Sequence, residues 1–326
     1  MYDQKPYKDK IKYLFLPSRE FLEELMFRFP ETRGYLNFNT LGSINTLVIY
    51  DCDISTGRYL FEFIAKERPN LTKLFIRNCC INEIPETIGK FEYLRYLHLE
   101  NNKISILPET FSRLTKLVEI ILDNNNFNEF PKVILQCPSI YWLDLFNNNI
   151  SSIPPDISSL KKLTHLILSN NQLKDIPNSI YELENLKWFY GDGNYLKTVP
   201  QCFHRLKNLI IANFSNNQFK KFPNSLIKTN SVKKLRLSDN NITKIPNSIT
   251  FMENLELLDL NNNQITEIPT EVLKMPSLEH LYLEHNFIDA LPIKVREVEP
   301  RLYMLNGNPL SQLSEEEKTT LEISYW

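Results

Sequence analysis

The chain has 326 residues, of which 42% are hydrophobic and 23% charged, and its formal net charge is -2 at pH 7. This composition is typical of a folded, water-soluble protein and argues against an intrinsically disordered one. Because the charge is close to neutral, nothing attracts the whole chain to nucleic acid or to an anionic membrane, and we predict neither as a partner.

The N-terminal segment, residues 1–43, differs in pattern from the rest of the chain. Within residues 18–29, the apolar side chains of Phe21, Leu25 and Phe29 recur at helical spacing. We therefore predict an amphipathic helix that caps the first end of a repeat array. No secretory apolar core and no stretch of about 20 apolar residues is present, so we expect neither a signal peptide nor a membrane span.

A repeat of 23 residues occupies the middle of the chain. A longer first unit begins at Ile44, and its second half, residues 57–68, has a helical pattern. A shortened last unit begins at Tyr303, and a Ser-x-x-Glu capping box at Ser314 indicates a closing helix within residues 311–326. The regular units between them begin at Leu71, Leu94, Leu117, Ile140, Leu163, Leu186, Leu209, Val232, Leu255 and Leu278.

Each unit follows the pattern LxxLxLxxNxIxxIPxxIxxL. The LxL alternation has a period of two, which predicts a short strand with one buried face. Strands of successive units should pair in parallel, and the wider loops opposite them should make the strand side concave. An Asn in each unit can donate to and accept from backbone groups of the turn. We predict a buried ladder of these side chains: Asn102, Asn125, Asn148, Asn171, Asn194, Asn217, Asn240, Asn263 and Asn286.

Over roughly residues 44–310 the pattern resembles the leucine-rich repeat family, in its 23-residue Ras-group-like form, which is also found in bacterial proteins. The resemblance implies an α/β fold: a leucine-rich-repeat solenoid shaped as a curved horseshoe. A parallel β-sheet would line the concave face and 3-10 or short helical segments the convex face, with helical caps at both ends. It also implies protein binding on the concave face, with a small GTPase as partner by family analogy only, and it supplies no catalytic residues.

Three positions depart from the pattern. Cys52 and Cys79 stand where most units have the ladder Asn. Gly191 replaces a core leucine, and two interpretations are open: neighbouring side chains fill the space, or the chain bends and reshapes the adjacent surface.

Outward positions of the strands form three columns that the repeat does not require to be apolar. Trp142 and Trp188 lie in one column, two units apart, and aromatic side chains of this kind are common hot spots in protein interfaces. Alternatively, the aromatics pack on one another and only cover the sheet. The predicted partner-binding residues of the concave face are Tyr96, Glu100, Glu119, Asp123, Trp142, Asp144, Phe146, His165, Ile167, Trp188, Tyr190 and Arg236.

The charges around this patch suggest the type of partner. The four carboxyl residues of that set lie on its N-terminal side, and Lys234 and Arg236 lie on the other side. A partner with a hydrophobic centre and a basic segment would fit, although the same charges could form an ordinary solvated face. The basic residues form no stripe that would follow a nucleic acid backbone.

Catalytic chemistry has little support. His98 lies near Glu119 and Asp123 by register, and His165 near Asp144, which could suit metal binding or acid–base catalysis. An open sheet, however, has no pocket that excludes water, so we predict no catalytic residue, no metal and no cofactor. The five cysteines are odd in number and do not cluster at the ends, which favours a reducing compartment and a cytoplasmic location.

We therefore predict a non-enzymatic, monomeric protein-binding scaffold. One alternative is a bacterial effector or adhesion-type protein that acts on host proteins. A further alternative is a carbohydrate binder or an enzyme.

Overall fold

Each repeat from the one beginning at Leu71 to the one beginning at Leu255 contributes one short strand and one helical segment. The computed structural model describes residues 45–50, 57–292 and 302–311. The chain has two compact units, Met1–Asn149 and Ile150–Trp326. We call them the N-terminal unit and the C-terminal unit and treat each by itself. The predicted helical caps are residues 1–43 and 311–326, and all of these residues except Ser311 lie outside the described ones.

In the N-terminal unit, parallel strands pair in sequence order, and each pairing advances by one repeat. Lys73 is opposite Tyr96, Tyr96 is opposite Glu119, and Glu119 is opposite Trp142. This is the register that the repeat predicts. The strands are β1 (Thr46–Tyr50), β2 (Lys73–Arg77), β3 (Tyr96–His98), β4 (Glu119–Ile121) and β5 (Trp142–Asp144).

The C-terminal unit continues the same pattern. His165 is opposite Trp188, Trp188 is opposite Ile211, and Ile211 is opposite Lys234. Its strands are β6 (His165–Ile167), β7 (Trp188–Tyr190), β8 (Ile211–Asn213), β9 (Lys234–Arg236), β10 (Leu257–Asp259), β11 (His280–Tyr282) and β12 (Leu302–Met304).

The helical side consists of short segments, most of them preceded by a proline whose missing N–H is tolerated at a helix start. In the N-terminal unit they are α1 (Gly57–Glu67) and the 3-10 helices Glu86–Lys90, Glu109–Arg113 and Lys132–Gln136. In the C-terminal unit they are α2 (Asn224–Ile227) and the 3-10 helices Pro155–Ser159, Asn178–Glu182, Gln201–Arg205, Asn247–Phe251 and Thr270–Lys274. The helix predicted for the second half of the first unit is confirmed as α1.

The predicted asparagine ladder is confirmed within each unit. In the N-terminal unit, Asn125 Oδ1 accepts a hydrogen bond from Ile104 N at 3.0 Å. Its Nδ2 donates to Leu99 O in the preceding repeat at 2.9 Å and to Leu122 O in its own repeat at 3.0 Å. Asn217 repeats this arrangement in the C-terminal unit. Each ladder amide therefore joins two repeats and satisfies backbone groups that water cannot reach.

Among the described residues, the one before each ladder position has a positive φ, which the sequence analysis missed. Because short polar side chains and glycine tolerate this left-handed conformation best, the Asn-Asn doublets of the repeat have a structural cause. These residues are Asn78, Asn101, Asn124 and Asn147 in the N-terminal unit, and Asn170, Gly193, Asn216, Asp239, Asn262, His285 and Gly307 in the C-terminal unit.

At Gly191, a neighbouring side chain fills the space of the missing leucine, which was the first of the two interpretations. A Cβ at this position would lie 2.8 Å from Cε1 of Phe189, so the phenylalanine ring already occupies the space of the missing leucine. Phe189 in turn packs against Phe203 and Phe214, with ring centroids 5.7 and 5.4 Å away. The backbone stays in register, because Gly191 N donates to Asn213 O at 2.8 Å.

We expect Leu168→Ala to lower the free energy of unfolding by about 2–5 kcal/mol, because the side chain is fully buried and its removal leaves a cavity. Urea unfolding followed by circular dichroism measures the change. Phe251→Ala in the same unit is the control, because that ring is 62% exposed. Equal losses from the two variants would contradict the assigned core.

We expect Asn217→Ala to lower the free energy of unfolding by about 2 kcal/mol or more, because it leaves the buried Leu196 N–H without a partner. It also removes one of the two amide donors to the Gly191 and Phe214 carbonyls, which keep Asn194 and Asn240. Gln218→Ala removes the exposed amide next to it and should change the unfolding midpoint little. A small effect of Asn217→Ala would show that the ladder does not stabilise the stack.

Candidate binding surface on the strand faces

The outward side chains of the strands are mostly half-buried, because neighbouring strands place them side by side. In β3, for example, Leu97 points into the core, whereas Tyr96 on the outward face is half-buried. Two predicted binding residues are more buried than the sequence analysis assumed: Glu119 is 7% and Ile167 is 8% exposed. Both therefore contribute little accessible surface.

A chain of polar contacts crosses the strand face of the N-terminal unit. Arg77 forms an ion pair with Glu100, and its Nη2 lies 2.7 Å from Nδ1 of His98. His98 Nε2 lies 2.8 Å from Glu119 Oε1, and the hydroxyl of Tyr141 donates to Glu119 Oε2 at 3.0 Å. The register-based proximity of His98 and Glu119 is thus a direct hydrogen bond.

These contacts define the protonation state of His98. A guanidinium can only donate, so Nδ1 of His98 accepts from Arg77 and Nε2–H donates to Glu119. Burial lowers the pKa of His98, and the hydrogen bond to Glu119, which acts in the opposite direction, does not offset it. The ring also stacks on Phe75, with centroids 4.2 Å apart. His98 is therefore a fixed, neutral bridge between a cation and a carboxylate.

The predicted set contains four carboxyl residues, which we call the acidic group: Glu100, Glu119, Asp123 and Asp144. They differ in charge. Burial would raise the pKa of Glu119, but the hydrogen bonds from His98 and Tyr141 outweigh it and the pKa is lowered. Burial raises the pKa of Asp144 to about 8, and the negative charge of Asp123 adds to this. Burial also raises the pKa of Glu100 to about 7 against the attraction of Arg77. The acidic group is therefore only partly ionised at neutral pH.

The remaining predicted residues of the N-terminal unit line the same face. Tyr96 is covered by the ammonium group of Lys73, which lies 4.9 Å from the ring centroid. Trp142 and Phe146 are both half-buried, and Phe146 N donates to Asp144 Oδ1 at 2.9 Å. This unit thus brings aromatic rings and carboxyls together on one surface.

In the C-terminal unit, the aromatic residues lie on adjacent strands. The ring of His165 meets the ring of Trp188 edge-on, with centroids 4.2 Å apart. Tyr190 follows on the same strand face, and burial raises the pKa of its hydroxyl, with the charge of Arg236 acting in the opposite direction. His165, Trp188 and Tyr190 are each half-buried.

The polar network also contains Arg77, His98 and Tyr141, which are not among the predicted binding residues. Of these, the sequence analysis considered His98, but for metal binding or catalysis. The column register already placed Arg77 beside Glu100 and His98 beside Glu119. Tyr141 precedes β5 and is outside the outward columns, so the repeat pattern carried no signal for it.

In the described part of the chain, no group of three or more His, Cys, Asp and Glu side chains is arranged to hold a metal ion. Among the same residues, no helix has the length and apolar character that crossing a bilayer requires.

The raised pKa of Asp144 predicts a pH-dependent stability. Between about pH 4, where an unfolded Asp ionises, and the folded pKa of about 8, the native state holds a proton that the unfolded state has lost. Stability should therefore fall as the pH rises through this range.

We expect Asp144→Asn to raise the melting temperature near pH 8 and to flatten the decline between about pH 5 and pH 8, as thermal unfolding would measure. Asp175→Asn removes an exposed carboxyl from another surface and controls for the change in charge. An unchanged slope in Asp144→Asn would contradict the assignment.

The repeats match a family of known proteins. The leucine rich repeat family model matches residues 69–127, 138–196 and 230–288, together more than half of the chain. No curated protein matches the chain in sequence.

Solved structures of similar fold include bacterial and plant proteins. A leucine-rich-repeat protein of Leptospira interrogans has 24% identity and a TM-score of 0.62, over 95% of this chain and 97% of that chain. An internalin of Listeria monocytogenes has 22% identity and a TM-score of 0.72, over 84% and 76%. The plant peptide hormone receptor RGFR1, in complex with RGF2, has 24% identity and a TM-score of 0.64, over 74% of this chain and 40% of that chain. At these identities the likeness concerns the fold alone. With the family match over more than half of its length and the repeat geometry of both units, the chain belongs to the leucine-rich repeat family.

Proposed function

We propose that this protein is a non-enzymatic binding module that recognises a protein partner with its strand faces. The observation that carries the proposal is the presence of half-buried aromatic side chains at outward strand positions, where the fold does not need them. They are Tyr96, Trp142 and Phe146 in the N-terminal unit and Trp188 and Tyr190 in the C-terminal unit. Large, rigid aromatic side chains supply contact area at a low cost in conformational entropy.

The strands hold these side chains in place before a partner binds. Trp188 is on a strand that pairs on both sides, with His165 and Ile211 opposite it. The edge contact with His165 restricts the indole further. Binding energy is then not spent on ordering the surface, which favours affinity.

The carboxyl groups of the N-terminal unit favour a partner that carries positive charge. Glu100, Asp123 and Asp144 have raised pKa values because they are desolvated near one another. A lysine or arginine side chain of the partner would favour their ionised form and would gain strong charge-assisted hydrogen bonds. A partner that combines apolar side chains with a basic segment therefore fits best.

We further propose a cytoplasmic monomer with terminal caps at residues 1–43 and 311–326. The described cysteines Cys79, Cys80, Cys137 and Cys202 are free thiols, which supports a reducing compartment. A small GTPase is the first candidate to test, by family analogy alone. Export of a tagged protein from its native cell would contradict the cytoplasmic location and favour the effector or adhesion role.

Affinity capture with mass spectrometry identifies the partner, and tryptophan variants then test the surface. We expect Trp142→Ala and Trp188→Ala each to weaken binding by about 2 kcal/mol or more, and the double variant to abolish capture. Isothermal titration calorimetry measures the affinities.

Matched controls are Tyr93→Ala in the N-terminal unit and Tyr195→Ala in the C-terminal unit. Both rings are 49% exposed and lie outside the strands, so these variants should bind normally. If the double tryptophan variant, with an unchanged circular dichroism spectrum, bound as tightly as the original protein, the proposed surface would be wrong.

A further inference from the structure

The near-neutral net charge conceals a strong segregation of charge. Residues 193–238, a stretch as long as two repeats, contain nine Lys and Arg but no Asp or Glu. The whole chain has 37 Lys and Arg against 39 Asp and Glu, so the rest of the sequence is acidic by comparison. The nine cations are Lys197, Arg205, Lys207, Lys220, Lys221, Lys228, Lys233, Lys234 and Arg236.

A cleft opens on the helical side of this segment, within the C-terminal unit. It lies between the 3-10 helix Gln201–Arg205 and α2 and has a volume of about 470 Å³. Arg205, Lys228 and His204 line it together with the side-chain amides of Gln201 and Asn224. No carboxylate occurs among the described residues that line the cleft.

The two permanent cations of the cleft occupy equivalent positions in adjacent repeats. Arg205 is held in place, because its guanidinium stacks on the ring of Tyr181 with 3.8 Å between the guanidinium carbon and the ring centroid. Stacking uses the face of the guanidinium and leaves its in-plane N–H groups to donate. Lys228 adds a second positive charge at the end of α2.

His204 has a defined orientation as well. Its Nδ1 lies 2.6 Å from the carbonyl oxygen of Gln201, which only accepts, so Nδ1 carries a proton and donates.

Other lysines on the surface of this unit have carboxylate partners in the next repeat. Lys161 lies 3.0 Å from Glu182, Lys233 lies 2.7 Å from Glu256, and Lys244 lies 3.0 Å from Glu267. In the described part of the chain, neither Arg205 nor Lys228 takes part in an ion pair of this kind. Two like charges that share a cleft repel each other, and an anion placed between them would remove that repulsion.

We propose that this cleft binds a phosphomonoester dianion. Its cations line one concave space instead of forming a long stripe, so the site suits a single compact group and not an extended polyanion. An arginine fork, a lysine and side-chain amides are donors that recognise phosphate oxygens. The site is on the helical side and is independent of the strand-face surface proposed above.

The proposal is tested by isothermal titration calorimetry of the full chain with inorganic phosphate. NaCl keeps the ionic strength the same in all titrations. The expected result is saturable binding that becomes at least about tenfold weaker in Arg205→Gln/Lys228→Gln. The matched control is Lys197→Gln/Lys220→Gln, which removes two positive charges from the same acid-free segment but outside the cleft. It should bind phosphate as the original protein does.

Titration with a phosphoserine peptide and its unphosphorylated twin separates the two sources of the group. Both sources support the site: tighter binding of the phosphopeptide than of phosphate indicates a phosphorylated protein, and equal binding indicates a free small molecule. Two results would overturn the proposal. One is the absence of saturable binding to both phosphate and phosphopeptide, and the other is an equal loss in the control variant, which would reflect general attraction to a basic surface.

Discussion

The structure depends on one buried interaction, the hydrogen bonds of the ladder asparagine. Its amide satisfies backbone groups of two successive repeats at once, as Asn125 does with Ile104 and Leu99. Because an unsatisfied buried amide is costly, this contact determines how one repeat is placed on the next within each unit. Register follows from it, and register determines which side chains become neighbours on the strand face.

That placement has chemical consequences, since side chains 23 residues apart lie next to each other. His98 and Glu119 are such neighbours, and so are Arg77 and Glu100. Side chains of the strands on either side shield such a polar side chain from water. The same crowding locks His98 as a neutral bridge and keeps Asp144 protonated up to a pH of about 8. A partner that binds there meets polar groups that are already desolvated, so less solvation is lost on binding.

Because successive repeats stack on one another, charged residues that are close in sequence also form neighbouring groups on the surface. Within the C-terminal unit, some lysines of one repeat meet glutamates of the next, as Lys161 meets Glu182. Residues 193–238 contain no Asp or Glu, and within this run Arg205 and Lys228 line one cleft together. The strand faces and the helical side thus offer different chemistry, apolar and partly acidic in one case and basic in the other.

The sequence by itself determined the repeat, the parallel strands, the register, the ladder and the identity of the outward columns. These follow from a period that is repeated many times, so that each unit supports the interpretation of the others. Only the tertiary structure decided that Glu119 and Ile167 are buried, that the ring of Phe189 fills the space at Gly191, and that Tyr141 joins the polar network. The physical reason is that burial and protonation depend on the size and charge of neighbours in adjacent repeats, which a consensus pattern leaves open.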